Sequence, residues 1–437
     1  MNPFKKLAKQ TAIYGLSSVV GRLLNYLLVP LYTRFFSPTD YGVVTELYAY
    51  VAFLIVLLTY GLETAFFNFS RKEKDKDSVY NTILISIITT SVFFVLVMFL
   101  NSSAISLWMG EGINENYIKY FAIIVSLDAI SSIPFAKLRE EERAIKFATI
   151  RLLGIFTNIL LNIYFIIYMK KEGIEYIFIS NLISSIITTI LLFPEIIKAK
   201  LSFNIKLWKK IIFYAFPLLI AGLAGMTNET IDRILLKSLQ SNTDVYHEIG
   251  LYGAFYKLSI IMILFIQTFR FAAEPFFFSQ YGKKQDKKIY AEVMKYFVII
   301  MTIIFLIVTT FYDFILKFLG EDYHDERGFF IVSILLLANL FLGIFFNLSI
   351  WYKLTGKTMF GAYLTIFGAI ITLTLNYILI PIAVGLGVGF MILFNVTHPP
   401  AGGNPVIVVM GGVSLEYLLS PIITGSIIIL VFGVVLN

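Results

Sequence analysis

Apolar runs of bilayer length recur along this chain, parted by short polar or charged stretches, near residues 11–33, 42–67, 79–100, 117–136, 148–168, 174–194, 211–236, 250–272, 292–316, 328–350 and 359–381, with a further apolar tail. A hydrocarbon layer about 30 Å thick requires about 20 helical residues per crossing. The pattern predicts an all-α, polytopic membrane helix bundle of about 12–13 transmembrane helices once the tail is included. The first run is long, holds Arg22 and Asn25 and lacks a small-residue cleavage site, so it reads as a retained span rather than a signal peptide.

Around the basic stretch KAKLSFNIKLWKK the pattern restarts. The first half opens with a long helix and then Tyr41-Gly42; the second opens with a long helix and then Tyr252-Gly253. This predicts two pseudo-symmetric lobes, 1–200 and 201–381, followed by a tail over 382–437.

Composition narrows the chemistry. Of 437 residues, 58% are hydrophobic and 14% charged, which excludes a water-soluble globule. With no cysteine and three histidines, thiolate and Cys/His metal sites are not expected, and no cofactor is. The net charge of +7 is a topology signal rather than a nucleic-acid footprint, because Lys and Arg concentrate in alternate loops. By the positive-inside rule the N-terminus and the loops holding Lys74, Arg139 and Lys284 are predicted to be cytoplasmic, while Asn114 and His324 face outward. Lys170 and Lys171 break the alternation. The stretch REEER at 139–143 reads as charged surface.

Charges within apolar spans carry more information, since each costs about 2.5–3.5 kcal/mol at the bilayer centre. Arg22 and Lys257 are read as functional, facing water or substrate. Glu63, Arg151, Arg270 and Glu274 lie near span ends, where a salt bridge or a snorkelling side chain accounts for them. In TNETIDRILL, Asn228 and Asp232 fall on one helix face and Glu229 and Arg233 on the next. Asp128 in the fourth span completes the set. Pro217 permits a bend upstream.

With LLNYLLVPLYTRFFSPTDYGVVTELY, LREEERAIKFATIRLLGIFTNILLN, FPLLIAGLAGMTNETIDRILL, GLYGAFYKLS and LTLNYILIP in this order, residues 1–381 resemble the bacterial oligosaccharide flippases of the polysaccharide-export branch, relatives of multidrug antiporters and lipid II flippases. The resemblance implies a transporter without covalent chemistry. It would turn polyprenyl-pyrophosphate-linked oligosaccharide across the bacterial cytoplasmic membrane by alternating access, with membrane lipids and other polysaccharide assembly proteins as its neighbours. Arg22, Arg233 and Lys257 would supply counter-charge to the pyrophosphate. Asn25, Asp128, Asn228, Glu229, Asp232 and Arg270 would serve as polar or coupling groups. An ion-coupled multidrug-type antiporter is the alternative; a membrane enzyme of glycan assembly is a third, weakened by the shortness of every outer loop. HPPAGGNP at 398–405, with the apolar sequence around it, resembles the end of HPP-motif integral membrane proteins over 382–437.

Overall fold

A computed structural model describes residues 19–394, excepting 74, 111, 201, 240–243, 281–285 and 356–357. The expected features at Lys74, at Lys284 and in the tail from residue 395, HPPAGGNP included, lie outside the described residues. Every described element is a helix: α1 (19–26), α2 (Val29–Phe35), α3 (Pro38–Thr59), α4 (Leu62–Lys72), α5 (Lys76–Leu100), α6 (Ser102–Met109), α7 (Glu115–Glu140), α8 (Ala144–Asn162), α9 (Glu175–Ile197), α10 (Ile205–Leu239), α11 (Val245–Gln280), α12 (Asp286–Thr310), α13 (Tyr312–Leu316), α14 (Gly328–Leu348), α15 (Ile350–Leu354) and α16 (Thr358–Phe394). A π-helical turn, Ile163–Tyr168, extends α8, and a 3₁₀ turn spans Glu321–Tyr323.

Polar stretches between apolar runs cap the helices they precede. Before α3, Ser37 Oγ accepts the Asp40 amide at 3.2 Å and Pro38 opens the helix, a position where its missing N–H costs nothing. Asp75 accepts the Ser78 amide at 3.0 Å, Asn114 the Asn116 amide at 2.8 Å, and Asn204 Oδ1 the amides of Lys206 and Leu207. The break between α3 and α4 falls at Tyr60 and Gly61, both with positive φ. Gly61 is required twice over there: φ is 74°, and an added Cβ would stand 3.0 Å from the Ala215 carbonyl oxygen of α10.

Among the described residues, ten helical stretches are long and apolar enough to cross a membrane. They match ten of the expected spans, and the side chains agree. On α12, Ile299, Ile300, Ile303, Leu306 and Ile307 form an exposed stripe, while Phe297, Met301 and Val308 are buried. An apolar face this long is stable outside water only against lipid, and the chain is a multi-pass membrane protein.

The helices form two compact units whose sequences interleave: residues 1–28 with 46–226, and 29–45 with 227–437. In the first unit α7 is the central helix, packed on α5 and α9, with Leu62, Phe66, Ile83, Ile87, Val125, Ile133 and Ile211 in its core. In the second, α11 takes that place, packed on α14, with Phe255, Met262 and Leu336 fully or almost fully buried. Residues 29–45 join this unit through close contacts. An added Cβ on Gly42 would lie 2.7 Å from the Tyr246 carbonyl carbon, and one on Gly250 would lie 2.7 Å from that of Pro38, so α3 and α11 cross backbone to backbone. Tyr323, wholly buried, donates its hydroxyl hydrogen to the Phe36 carbonyl at 2.9 Å.

The last apolar run extends beyond residue 381: α16 continues through Pro381 and the glycines at 385, 387 and 389 to Phe394. A proline deletes one hydrogen bond, and a membrane-spanning helix tolerates that loss where water cannot compete for the remaining ones.

Candidate functional site

The polar residues expected within the spans gather in each unit separately. In the second unit the site is built on α10, α11 and α16. Asn228 and Asp232 share a face of α10 as their spacing requires, but they serve different neighbours. Asn228 Nδ2 donates to the Thr365 carbonyl of α16 at 3.2 Å, and its Oδ1 accepts from Thr372 Oγ1 at 2.9 Å. Gly368 of α16 lies beside it, leaving room for the amide. Asp232 instead accepts the Tyr252 hydroxyl hydrogen of α11 through Oδ2, while its buried Oδ1 has no hydrogen-bond partner.

Arg233 is buried, with 7% of its surface exposed. Its guanidinium carbon lies 4.3 Å from the centre of the Tyr256 ring and 5.9 Å from that of Tyr252, and Nη1 donates to the Glu229 carbonyl oxygen at 3.4 Å. Tyr252 and Tyr256 stand one turn apart on α11, so one helix face presents two ring faces to one cation. Among the described residues neither the Glu229 nor the Asp232 carboxylate forms an ion pair with Arg233, although the Asp232 charge acts on it; aromatic faces and a backbone carbonyl lie against the guanidinium. Tyr256 is the residue that sequence reasoning missed, although its spacing from Tyr252 was visible.

Lys257 follows Tyr256 directly. Among the described residues no hydrogen bond or ion pair engages its ammonium, and the charged group acting on it is Arg233, of like sign. Two cations within membrane-spanning helices therefore act on one another, one of them without a hydrogen bond or ion pair among the described residues, and Asp232 keeps one bare oxygen. Arg270 does not join them: it lies 13 residues along α11, about 20 Å at 1.5 Å per residue, with its guanidinium carbon 4.0 Å from the Phe346 ring centre.

In the first unit, Asp128 of α7 accepts a hydrogen bond from Ser185 of α9 at 2.8 Å, and Asn181, one turn away on α9, donates to Tyr48 at 2.8 Å. Arg151 of α8 acts electrostatically on Asp128 and also feels Arg22. Arg22 and Asn25 are exposed on α1. Glu63 is paired with Arg139, as its place near a span end implied.

This architecture has known counterparts. A family model described as polysaccharide biosynthesis protein matches residues 7–281. A MatE model matches 217–378, and a model of the HPP transmembrane region matches 353–437, beginning well upstream of residue 382 and overlapping the MatE match. No curated protein sequence matches the chain. Among solved structures, the inward-facing conformation of a multidrug resistance MATE family transporter of the MOP superfamily aligns with a TM-score of 0.67 and 16% identity, over 97% of this chain and 95% of that one. Lipid II flippase MurJ, in an inward closed conformation, aligns with a TM-score of 0.65 and 14% identity over 97% and 92%. A MOP superfamily transporter from Pyrococcus furiosus, whose report describes a binding pocket of reverse polarity, aligns with a TM-score of 0.58 and 16% identity over 97% and 94%. These likenesses show a shared two-lobed transporter fold, and with its model spanning residues 7–281 of 437 the chain belongs to the polysaccharide biosynthesis protein family.

Proposed function

We propose that the protein is a flippase for polyprenyl-pyrophosphate-linked oligosaccharide in a bacterial cytoplasmic membrane, working by alternating access with its N-terminus in the cytoplasm. The proposed lobes are 1–200 and 201–381, followed by an HPP-like tail over 382–437. The observation that carries the reading is Lys257 of α11, without a hydrogen bond or ion pair among the described residues and acted on by the like charge of buried Arg233 on α10. An ammonium left without a carboxylate in a membrane span is costly, and a pyrophosphate head group supplies the missing counter-charge only while substrate is bound. The family match and the lipid II flippase among the structural neighbours support the same reading.

The test is outward movement of a fluorescent polyprenyl-pyrophosphate oligosaccharide in proteoliposomes. Lys257→Gln is expected to lower the rate at least about tenfold, one lost charge-assisted contact, and Lys257→Arg to keep part of it. Wild-type flipping by Lys257→Gln at normal protein level would overturn the reading. An ion-coupled multidrug-type antiporter is the second reading. Asp232 favours it, since the bare Oδ1 offers a place for a proton or a cation, and the MatE match covers this region. Export of cationic dyes that is lost in Asp232→Asn, without glycan flipping, would select it.

A further inference from the structure

Where α7 turns into α8 and α9 ends, several cations converge on one buried carboxylate. Glu195, in the last turn of α9, is completely buried, and its Oε1 accepts from Arg143 Nη1 at 2.8 Å and from Lys146 Nζ at 2.6 Å. Lys198 Nζ stands 3.5 Å from Oε2, which accepts no hydrogen bond. Below this layer Tyr80 donates to the Glu195 carbonyl oxygen at 2.9 Å, and Lys137 lies over the Tyr80 ring. Glu141 is shared by Arg143 and by Lys137, while Glu140 is taken by Lys76 and Glu142 is exposed on the turn. Around Glu195 itself three cations meet one carboxylate, so most of their donors remain open. Their side chains are 38%, 31% and 59% exposed, so those donors face outward.

The apolar surroundings say what meets them. Ile145, between Arg143 and Lys146, is 74% exposed, and Phe193 and Ile197, one turn apart beside Glu195 and Lys198, are 54% and 63% exposed. Cations fixed by a buried carboxylate, edged by bare apolar side chains at the ends of three spans, match a molecule with a phosphate at the headgroup level and a hydrocarbon chain alongside. We propose that Arg143, Lys146 and Lys198, held in place by Glu195, form a docking site for the phosphate of an anionic lipid headgroup. The site stands apart from the polar clusters within the spans and does not depend on the flippase reading.

Native mass spectrometry of the full chain in detergent, titrated with phosphatidylglycerol and with phosphatidylcholine as control, tests it. Lys198→Gln spares the Arg143–Glu195 and Lys146–Glu195 pairs, so it should unfold at the wild-type temperature yet bind phosphatidylglycerol about fivefold more weakly, one interfacial charge's worth; Lys146→Gln with Lys198→Gln should bind more weakly still. Lys209→Gln, exposed on α10 outside the cluster, should change nothing. The proposal fails if the wild type does not prefer phosphatidylglycerol, if Lys198→Gln binds as the wild type does, or if Lys209→Gln loses as much. Farnesyl pyrophosphate forms the second arm. Displacement of phosphatidylglycerol by it, in the wild type only, supports the phosphate site and assigns it to isoprenyl pyrophosphate carriers; no displacement, with the preference intact, supports it as a phospholipid site.

Discussion

Replacing Gly250 by alanine tests the closest helix crossing in the second unit. The added Cβ would meet the Pro38 carbonyl, with its carbon 2.7 Å away, and would stand 3.0 Å from the Gly42 nitrogen. These are backbone atoms, so no side chain can rotate aside. To restore the separation of about 3.5 Å at which such atoms attract, α3 and α11 must part by about 1 Å along their shared contact. Overpacking of this kind costs about 1–3 kcal/mol, against which alanine returns up to about 1 kcal/mol of helix propensity. A net loss of about 1–2 kcal/mol is expected. Gly225→Ala on α10 is the matched control, because nothing lies within 4 Å of a Cβ there and only the propensity gain remains. The assay is thermal unfolding of both variants in detergent, read by fluorescence-detected size exclusion. Gly250→Ala should melt below the wild type and Gly225→Ala at or above it. Gly42→Ala should resemble Gly250→Ala, and the double variant should cost less than the two singles together, since one separation relieves both clashes. Equal midpoints for Gly250→Ala and Gly225→Ala would refute the crossing.

Two other expectations are simpler to state. Tyr323→Phe leaves the Phe36 carbonyl unsatisfied in a buried place and should cost about 1–3 kcal/mol in the same assay; an unchanged midpoint would show that the bond contributes nothing. Asp325, in the loop before α14, would have its carboxyl raised by burial, but hydrogen bonds from Arg327, Nε at 2.7 Å and the amide at 2.9 Å, outweigh this and hold it below its ordinary value of 3.8. Its stabilisation is therefore complete above that value and lost as pH falls below it, so Asp325→Asn should flatten the acid limb of stability below about pH 4; an unaltered limb would remove Asp325 as its cause.

The membrane spans are legible in hydropathy because hydrocarbon imposes one length on every crossing, and the described helices fall where the apolar runs do. Tyr41-Gly42 and Tyr252-Gly253 were visible as a repeated pair. Their physical meaning was not, since Gly42 matters through its approach to Gly250, 208 positions away in the chain. The same limit hid Glu195. A lone glutamate after Pro194 at a span end looks like solvated surface, and only folding brings Arg143 and Lys146 onto it. REEER lies at the surface as charged sequence suggests, with Glu141 and Glu142 exposed, but the engagement of its two arginines with Glu63 and Glu195 was not visible before folding. Among the charges inside the spans, Arg233 and Lys257 were recognisable from the cost of placing them there, but that cost does not say whether a ring, a carboxylate or nothing answers each one.

The unbroken run of α16 fixes phase as well as direction. The MatE and HPP matches overlap on 353–378, and from Thr358 onward the overlap lies on this one helix, with no loop to absorb a change of length. One residue inserted after Ile378 would turn the rest of the helix by about 100° and advance it by about 1.5 Å, whereas seven would bring the same face back to within about 20°. A junction of this kind tolerates heptads and resists single insertions, so any exchange of the sequence beyond it must be cut in register with the 3.6-residue turn.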